Sequence, residues 1–418
     1  MPRTGLGRRW SSVRDCPRRR SVESRRPPSS SRTSRAHLVS LVGRLLYPCR
    51  PSSVTGMDVV DFKPEHSQLV YTFGGSAPVM RVRPGTALQV WSEDAFNHAL
   101  TSVNDVASKV LDFRYLNPQT GPFYVEGAQP GDTLAIHVAG LTPARSWGAS
   151  AAIPFFGGMT STDRTAMLQQ ALPEATWIYE VDSDAGTVGF QSRFGDFEVA
   201  LPLAPMLGTV GVAPTGGEVR SSLVPERFGG NMDTPEMRAG TTAYLGVNVE
   251  GALFSIGDGH YRQGEGEACG TAVEGAMNST IIVDLIKGKA PLWPRLETDD
   301  YWMVVGSSRP MEDAWRIAQL EMIRWFGELF ELHEMDAYQL LSQITEAPIA
   351  NVVDPNYSVV IKVRKSLFST VHGFSGMQDK LRSRAGAPSG EPPSVQRIFR
   401  FRNVFRFVHW RSTWHSHS

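Results

Sequence analysis

The sequence predicts a mainly β protein, a β-rich sandwich or barrel-like core, with a smaller α+β part towards the C-terminus. Three observations predict it. Between residues 70 and 285 apolar and polar residues alternate in short runs, the period of half-buried strands. Gly and Pro punctuate those runs at Pro84-Gly85, at Gln129-Pro130-Gly131-Asp132 and at Asp184-Ala185-Gly186, which are turn signals. Only after Pro310 do apolar residues recur at three and four, the spacing of an amphipathic helix.

Taken in order, MRVRPGTALQVWSEDAF places strands on either side of Pro84-Gly85, and residues 123–125 and 133–138 form two more around the second turn. His137 falls inside an alternating strand, where a structural histidine is the simpler reading. Asp94 and Glu126 stand at strand ends, where pocket walls are built. Residues 144–165 are small and Gly-rich without a clear period and read as a long loop of lid or pocket-wall type. Residues 176–214 read as further strands, with turns at 184–186 and at Gly195-Asp196, and Pro202, Pro205 and Gly208 mark irregular backbone leading to residue 228. TTAYLGVNVEGALFSIGDG reads as two buried, adjacent strands joined at Glu250-Gly251. Residues 280–285 add a strand, PMEDAWRIAQLEMIRWFGELFELH a helix with Trp315, Ala318, Met322, Trp325, Phe326 and Leu329 on its apolar face, MDAYQLLSQ a shorter helix, and 357–365 a closing strand.

With 41% hydrophobic and 10% aromatic residues in 418, the composition supports a full core. The zero formal charge is a cancellation. Residues 1–56 hold thirteen arginines against two acids, +11; residues 377–418 carry +6; residues 57–376 have 21 basic against 38 acidic side chains, −17. An acidic body repels phosphate backbones, which excludes nucleic acid as its partner, and no apolar run is long enough to span a membrane. The organisation expected is a disordered basic head over 1–56, either a targeting segment or upstream read-through before Met57, a catalytic unit over 57–376, and a basic, disordered tail over 377–418. Three cysteines, two of them in the head, suit a reducing compartment. Cytoplasm is the expected location, or the mitochondrion if the head is a targeting segment.

Residues 228–274 concentrate the side chains that chemistry needs. Asn231 and Asp233 form one pair two residues apart and Asp258 and His260 a second, with Glu265, Glu267 and Glu274 following. On extended backbone a spacing of two sends both members of a pair to one side, so two strand ends can aim both pairs at one pocket. Carboxylates and an imidazole converging from two segments are what a divalent metal with mixed oxygen and nitrogen ligands requires. Asp258 and His260 are the best ligand pair; Asn231 and Asp233 would complete the shell or bind substrate. The plainer reading of D-x-H in a Gly-rich turn is a turn stabilised by Asp. A nucleotide loop is excluded, because neither G-x-G-x-x-G nor G-x-x-x-x-G-K-[ST] is present. Cys269 has no base at motif spacing and reads as a small buried thiol before it reads as a nucleophile.

At these residues the sequence resembles the acetamidase/formamidase family. The phrases FGGNMD, AGTTAYLGVNVEGALFSIGDGH, QGEGEACGTAVE, TGPFYVEGAQPGD and DAYQLLS carry the likeness, over about residues 60–366. The resemblance implies hydrolysis of a short aliphatic amide, formamide or acetamide, to carboxylate and ammonia by metal-activated water, in a homo-oligomer. It implies a divalent metal as cofactor, zinc first and calcium or another divalent ion next. The assignment is then Asp258, His260 and Asp233 as metal ligands, Asn231 and Gln263 as substrate-binding residues, and Glu267, Glu274 and Glu126 as candidate catalytic carboxylates, with the proton-moving glutamate left open. Tyr261-Arg262 departs from the small residues usual in the family and is expected to narrow the pocket. The alternatives are the same reaction through Cys269, or a non-catalytic protein that binds a small amide or ion.

Overall fold

The computed structural model describes residues 58–160, 172–369 and 371–386. Expectations for residues 1–56 and for most of the tail lie outside them. Two large sheets face each other. One has nine strands in the order Val59–Phe62, Thr86–Ser92, Met277–Ile286, Thr133–Pro143, Thr242–Gly246, Arg295–Glu297, Tyr301–Ser308, Tyr357–Arg364 and Ile349–Asn351. All its neighbours are antiparallel except Val59–Phe62 beside Thr86–Ser92. The other runs Glu198–Pro202, Thr187–Gln191, Ala175–Asp182, Trp147–Ala152, Val273–Glu274, Phe254–Arg262, Met206–Gly211 and Gly229–Asn231, with Gln119–Val125 also paired to Phe254–Arg262 and Met80–Val82 beside it.

Leu88, Ile136, Leu245 and Ile281 from the first sheet meet Phe123, Leu207, Val210 and Phe254 from the second in one buried core. This is the mainly β sandwich the alternation predicts. The α+β part is built on the same nine-stranded sheet. Trp302, Val304, Ile361 and Val363 on its outer face pack against Ala318, Met322, Trp325 and Phe326 of the helix Met311–Phe330, and the helix Glu334–Ile344 adds Ala337 and Leu341.

Four sequence expectations change. The predicted turns after residues 82, 128 and 250 do not close hairpins: in each case the strand before and the strand after belong to different sheets. Alternation reports burial, and strands buried on both faces, such as Thr133–Pro143 over its first six residues, do not announce their partners. Residues 144–165, of which 161–165 lie outside the described residues, are not all loop, because Trp147–Ala152 is a strand between Ala175–Asp182 and Val273–Glu274. Its small residues are required by the packing: a Cβ on Gly148 would lie 2.8 Å from Val273 and 3.1 Å from the Tyr261 ring. Trp315 is exposed, and the helix buries Ala314, Gln319 and Glu321 instead, the last paired with Arg295 at 2.8 Å. Finally, the ordered body does not stop at 376. Met377–Arg384 is a helix whose Met377, Gln378 and Leu381 are buried against Ala87, Ala135 and Tyr244.

That terminal helix also explains His137. Its Nδ1 lies 2.9 Å from the Thr242 hydroxyl, and that hydroxyl donates to the Gln378 carbonyl oxygen, so Nδ1–H donates to Thr242. Burial pushes His137 down to about 4 from 6.5, so the folded protein keeps it neutral. Between those values the unfolded chain binds the extra proton, and stability rises with pH. The contribution is complete above about 6.5 and is lost as pH falls towards 4, roughly 3 kcal/mol in all. His137→Gln is expected to flatten this limb: the drop in urea midpoint from pH 7 to pH 5 should shrink relative to wild type, and an unchanged drop contradicts the assignment.

Candidate active site and metal centre

Three neighbouring strands, in the order Gly229–Asn231, Met206–Gly211 and Phe254–Arg262, assemble the centre. The two polar pairs are therefore separated by a strand, and Asp258 and His260 sit inside their strand, not at its end. Convergence across the gap depends on Gly208. Any Cβ there would stand 2.4 Å from Asp258 Oδ2, 2.5 Å from Asp233 Oδ1 and 2.9 Å from His260 Cε1, so the space the carboxylates occupy exists because the residue has no side chain. Asp233, Asp258 and Glu267 all adopt left-handed backbone, with φ of 45°, 58° and 48°. Such conformations cost about 1–3 kcal/mol each and concentrate at sites where side-chain aim matters more than local comfort.

His260 Nε2 lies 3.1 Å from Asp258 Oδ1, 3.1 Å from Glu274 Oε2 and 3.9 Å from Asp233 Oδ1. Asp258, His260 and Glu274 form one set of converging donor atoms, and Asp233, His260 and Glu267 an overlapping one, each within 4.8 Å. Asp354, buried like the rest, completes a group of five carboxylates around one imidazole. The other ring nitrogen is held: Nδ1 meets Gln263 Oε1 at 2.9 Å, while Gln263 Nε2 donates to the carbonyls of Asp233 (2.6 Å) and Ala350 (3.0 Å). With Gln263 oxygen accepting, Nδ1 carries a proton and Nε2 faces the carboxylates, where a metal would have to displace the second proton of the cation they favour.

The electrostatics match this crowding. Burial, then the Asp354 and Asp258 charges, hold the Asp233 carboxyl well above the usual range. Burial and the Asp233 charge do the same to Glu267. Asp354 is also raised, by burial first, and burial pushes Glu274 up to about 7 against the pull of His260. Burial disfavours the His260 cation, but Glu274 and Asp258 outweigh it and raise its pKa well above the ordinary value. A divalent metal fits here on three counts. Both Asp233 oxygens and Glu274 Oε2 are buried with no hydrogen-bond partner, the side-chain space is kept open at Gly208, and the donors are carboxylate oxygens and a neutral imidazole nitrogen.

A cavity of about 310 Å³ opens over the centre, lined there by Asn231, Asp258, His260, Glu267, Glu274 and Asp354. The structure thus brings together six of the eight residues singled out from sequence, Gln263 supporting the group from behind. Glu126 is not among them: it lies beyond strand Gln119–Val125, half-exposed, 3.5 Å from Arg83. Gln263, expected to bind substrate, is not among the residues that line the cavity; its Oε1 meets His260 Nδ1 instead. Asn231 lines it with its amide fully engaged, accepting from Asn117 Nδ2 (2.6 Å) and Thr209 and donating to Asp354 Oδ2 (3.0 Å). Tyr261-Arg262 does not narrow the pocket. Tyr261 is fully buried over Gly148 and Gly275, donating to the Ala276 carbonyl at 2.6 Å, and Arg262 Nη1 donates to the Pro202 carbonyl.

Asp354, Asn117 and Thr209 were missed. Asp354 sits in N-V-V-D-P-N, where Asp before Pro reads as a turn, and the other two lie on segments whose proximity only the sheet order reveals. Cys269 is exposed, not buried, and does not line the cavity. Desolvation of the sulfur and the Glu267 charge raise its thiol pKa, the reverse of an activated nucleophile. Asp94 belongs to another acidic group with Glu93 and His98, in which Arg145 clasps Asp94 and Glu93 at 2.5 Å each.

The Acetamidase/Formamidase family model matches residues 76–223 and 216–370. The crystal structure of acetamidase from Yersinia enterocolitica is 40% identical, covering 75% of this chain and 94% of that one with a TM-score of 0.71. That of acetamidase from Bacillus halodurans is 27% identical, covering 74% and 98%, with a TM-score of 0.66. Formamidase of Methylophilus methylotrophus is 26% identical over 258 residues, 50% of this chain and 61% of the relative. Fold, centre and likenesses together define an amidohydrolase. The chain belongs to the Acetamidase/Formamidase family.

The dependence on Gly208 is directly testable. Gly208→Ala is expected to push Asp258 and Asp233 off the centre, lowering metal affinity and activity by about ten- to a hundredfold, the range seen when a metal site's support is disturbed, while circular dichroism stays native. Full metal content and activity in this variant would contradict the geometry.

Proposed function

We propose that the protein hydrolyses small linear amides, formamide or acetamide among them, to carboxylate and ammonia at a divalent metal centre held by His260, Asp258, Glu274 and Asp233. The observation that carries this is the convergence on His260 Nε2, at the foot of a cavity, of Asp258 and of the buried, unpartnered oxygens of Asp233 and Glu274. The imidazole favours zinc over calcium, which takes oxygen ligands throughout. When bound, such an ion would polarise the amide carbonyl and lower the pKa of water towards neutrality.

The chain's own residues supply the rest. Gln263 fixes the His260 tautomer, and Asn231 holds Asp354 in place against the centre. Glu267 faces the cavity, and burial beside Asp233 raises its basicity, which suits a group that takes a proton near neutral pH. As water adds to the amide carbon, Glu267 accepts the proton released. It returns that proton to the nitrogen as the C–N bond breaks, so ammonia and the carboxylic acid form, and the acid passes its remaining proton to ammonia, leaving carboxylate and ammonium. The depth of the site excludes bulk water from these exchanges.

Three measurements on one preparation separate the roles. Chelation or His260→Ala is expected to remove metal and abolish ammonia release. Glu267→Gln should keep the metal and lose about 10²–10⁴ in kcat, the usual contribution of a positioned acid–base group. Cys269→Ser should retain activity. Full turnover by metal-free protein would end the metal reading, and an acyl group trapped on Cys269 would transfer the chemistry to the thiol.

A further inference from the structure

The cavity over the centre is larger than formamide or acetamide fills. At about 30 Å³ for each water-sized group, 310 Å³ holds roughly ten heavy atoms, whereas formamide has three and acetamide four. The lining is also divided. The floor is the carboxylate and imidazole cluster, and the wall above it is apolar, made chiefly of Phe96, Phe113, Leu116, Ile153, Phe156 and Leu223.

That wall is a built surface. Phe96 and Ile153 are 3% and 6% exposed and belong to a separate small core with Leu100 and Leu111, against which Leu116 and Phe156 pack. Phe113, 52% exposed, stands at the rim. A wall so backed keeps its shape when the cavity fills. A two-carbon amide seated on the floor would leave it in contact with water, and burying apolar surface there lowers the free energy of any substrate that reaches it.

We propose that the preferred substrates are primary amides whose acyl group carries an apolar chain or ring of about five to seven carbons beyond the carbonyl, with the amide over the carboxylate and imidazole floor and the apolar part against the Phe96–Phe113–Phe156 wall. This rests on the amide-hydrolase reading of the same site. It changes what that site selects: chain length is rewarded up to the volume of the cavity, and formamide is a poor substrate.

The test is kcat/KM of the metal-loaded enzyme for formamide, acetamide, butyramide, hexanamide and phenylacetamide, read as ammonia release. Each methylene placed against the wall should raise kcat/KM about fourfold, so hexanamide should exceed acetamide by roughly a hundredfold or more. Phe113→Asp, at the exposed rim, should lower the hexanamide-to-acetamide ratio at least about tenfold by wetting the wall. A flat or falling series with acetamide still hydrolysed would overturn the proposal while leaving amide hydrolysis in place. Ammonia from none of the five, with metal bound, would remove the hydrolase reading itself and this proposal with it.

Discussion

Five carboxylates buried around one imidazole is the constraint on which the rest of the structure depends. An isolated buried carboxylate already costs several kcal/mol in its ionised form, and like charges within a few ångströms raise that cost. Within the described residues no lysine or arginine pairs with Asp233, Asp258, Glu267 or Glu274. The charge must be met by protons or by a cation, because burial raises the pKa values of Asp233, Glu267 and Asp354 and their mutual repulsion raises them further. The acid pair at Glu93 and Asp94 makes the contrast plain, because there Arg145 answers both charges. A centre kept without such a partner is organised for a cation or for proton movement.

Holding that charge in place requires rigidity, and the fold provides it from two sides. The strands Gly229–Asn231, Met206–Gly211 and Phe254–Arg262 fix the backbone, with three acidic residues locked in left-handed conformations that only a well-determined surround maintains. Behind them runs a polar chain in which Gln119 donates to Asn117, Asn117 to Asn231 and Asn231 to Asp354. The sandwich core beneath and the small apolar core beside the cavity keep water from relaxing these contacts.

Much of this was legible in the sequence. The i,i+2 spacing of Asn231 with Asp233 and of Asp258 with His260 pointed to the centre, but the extended backbone it assumes is absent at Asp233 and Asp258, whose left-handed conformations set their aim instead. The helix Met311–Phe330 was legible because side-chain direction along a helix is a local property, although Trp315 was misplaced because a period of three and four does not say which of two adjacent stripes meets the sheet. What could not be read was non-local. Nothing in residues 242–256 says that Thr242–Gly246 and Phe254–Arg262 separate into different sheets, and nothing near Asp354 says that it lies beside Asn231, 123 residues away. Glu126 failed in the opposite direction. A strand-end acid within a family phrase looked functional, yet its sheet carries it to the surface beside Arg83.

The central claim is that the convergence around His260 Nε2 is a cation site, and the most direct measurement is anomalous X-ray scattering from crystals of the native protein, with metal content determined on the same sample. The account predicts one divalent ion per chain, with its anomalous peak among His260 Nε2 and the Asp258, Glu274 and Asp233 carboxylates. Crystals of fully active protein with no ion at that position would contradict it.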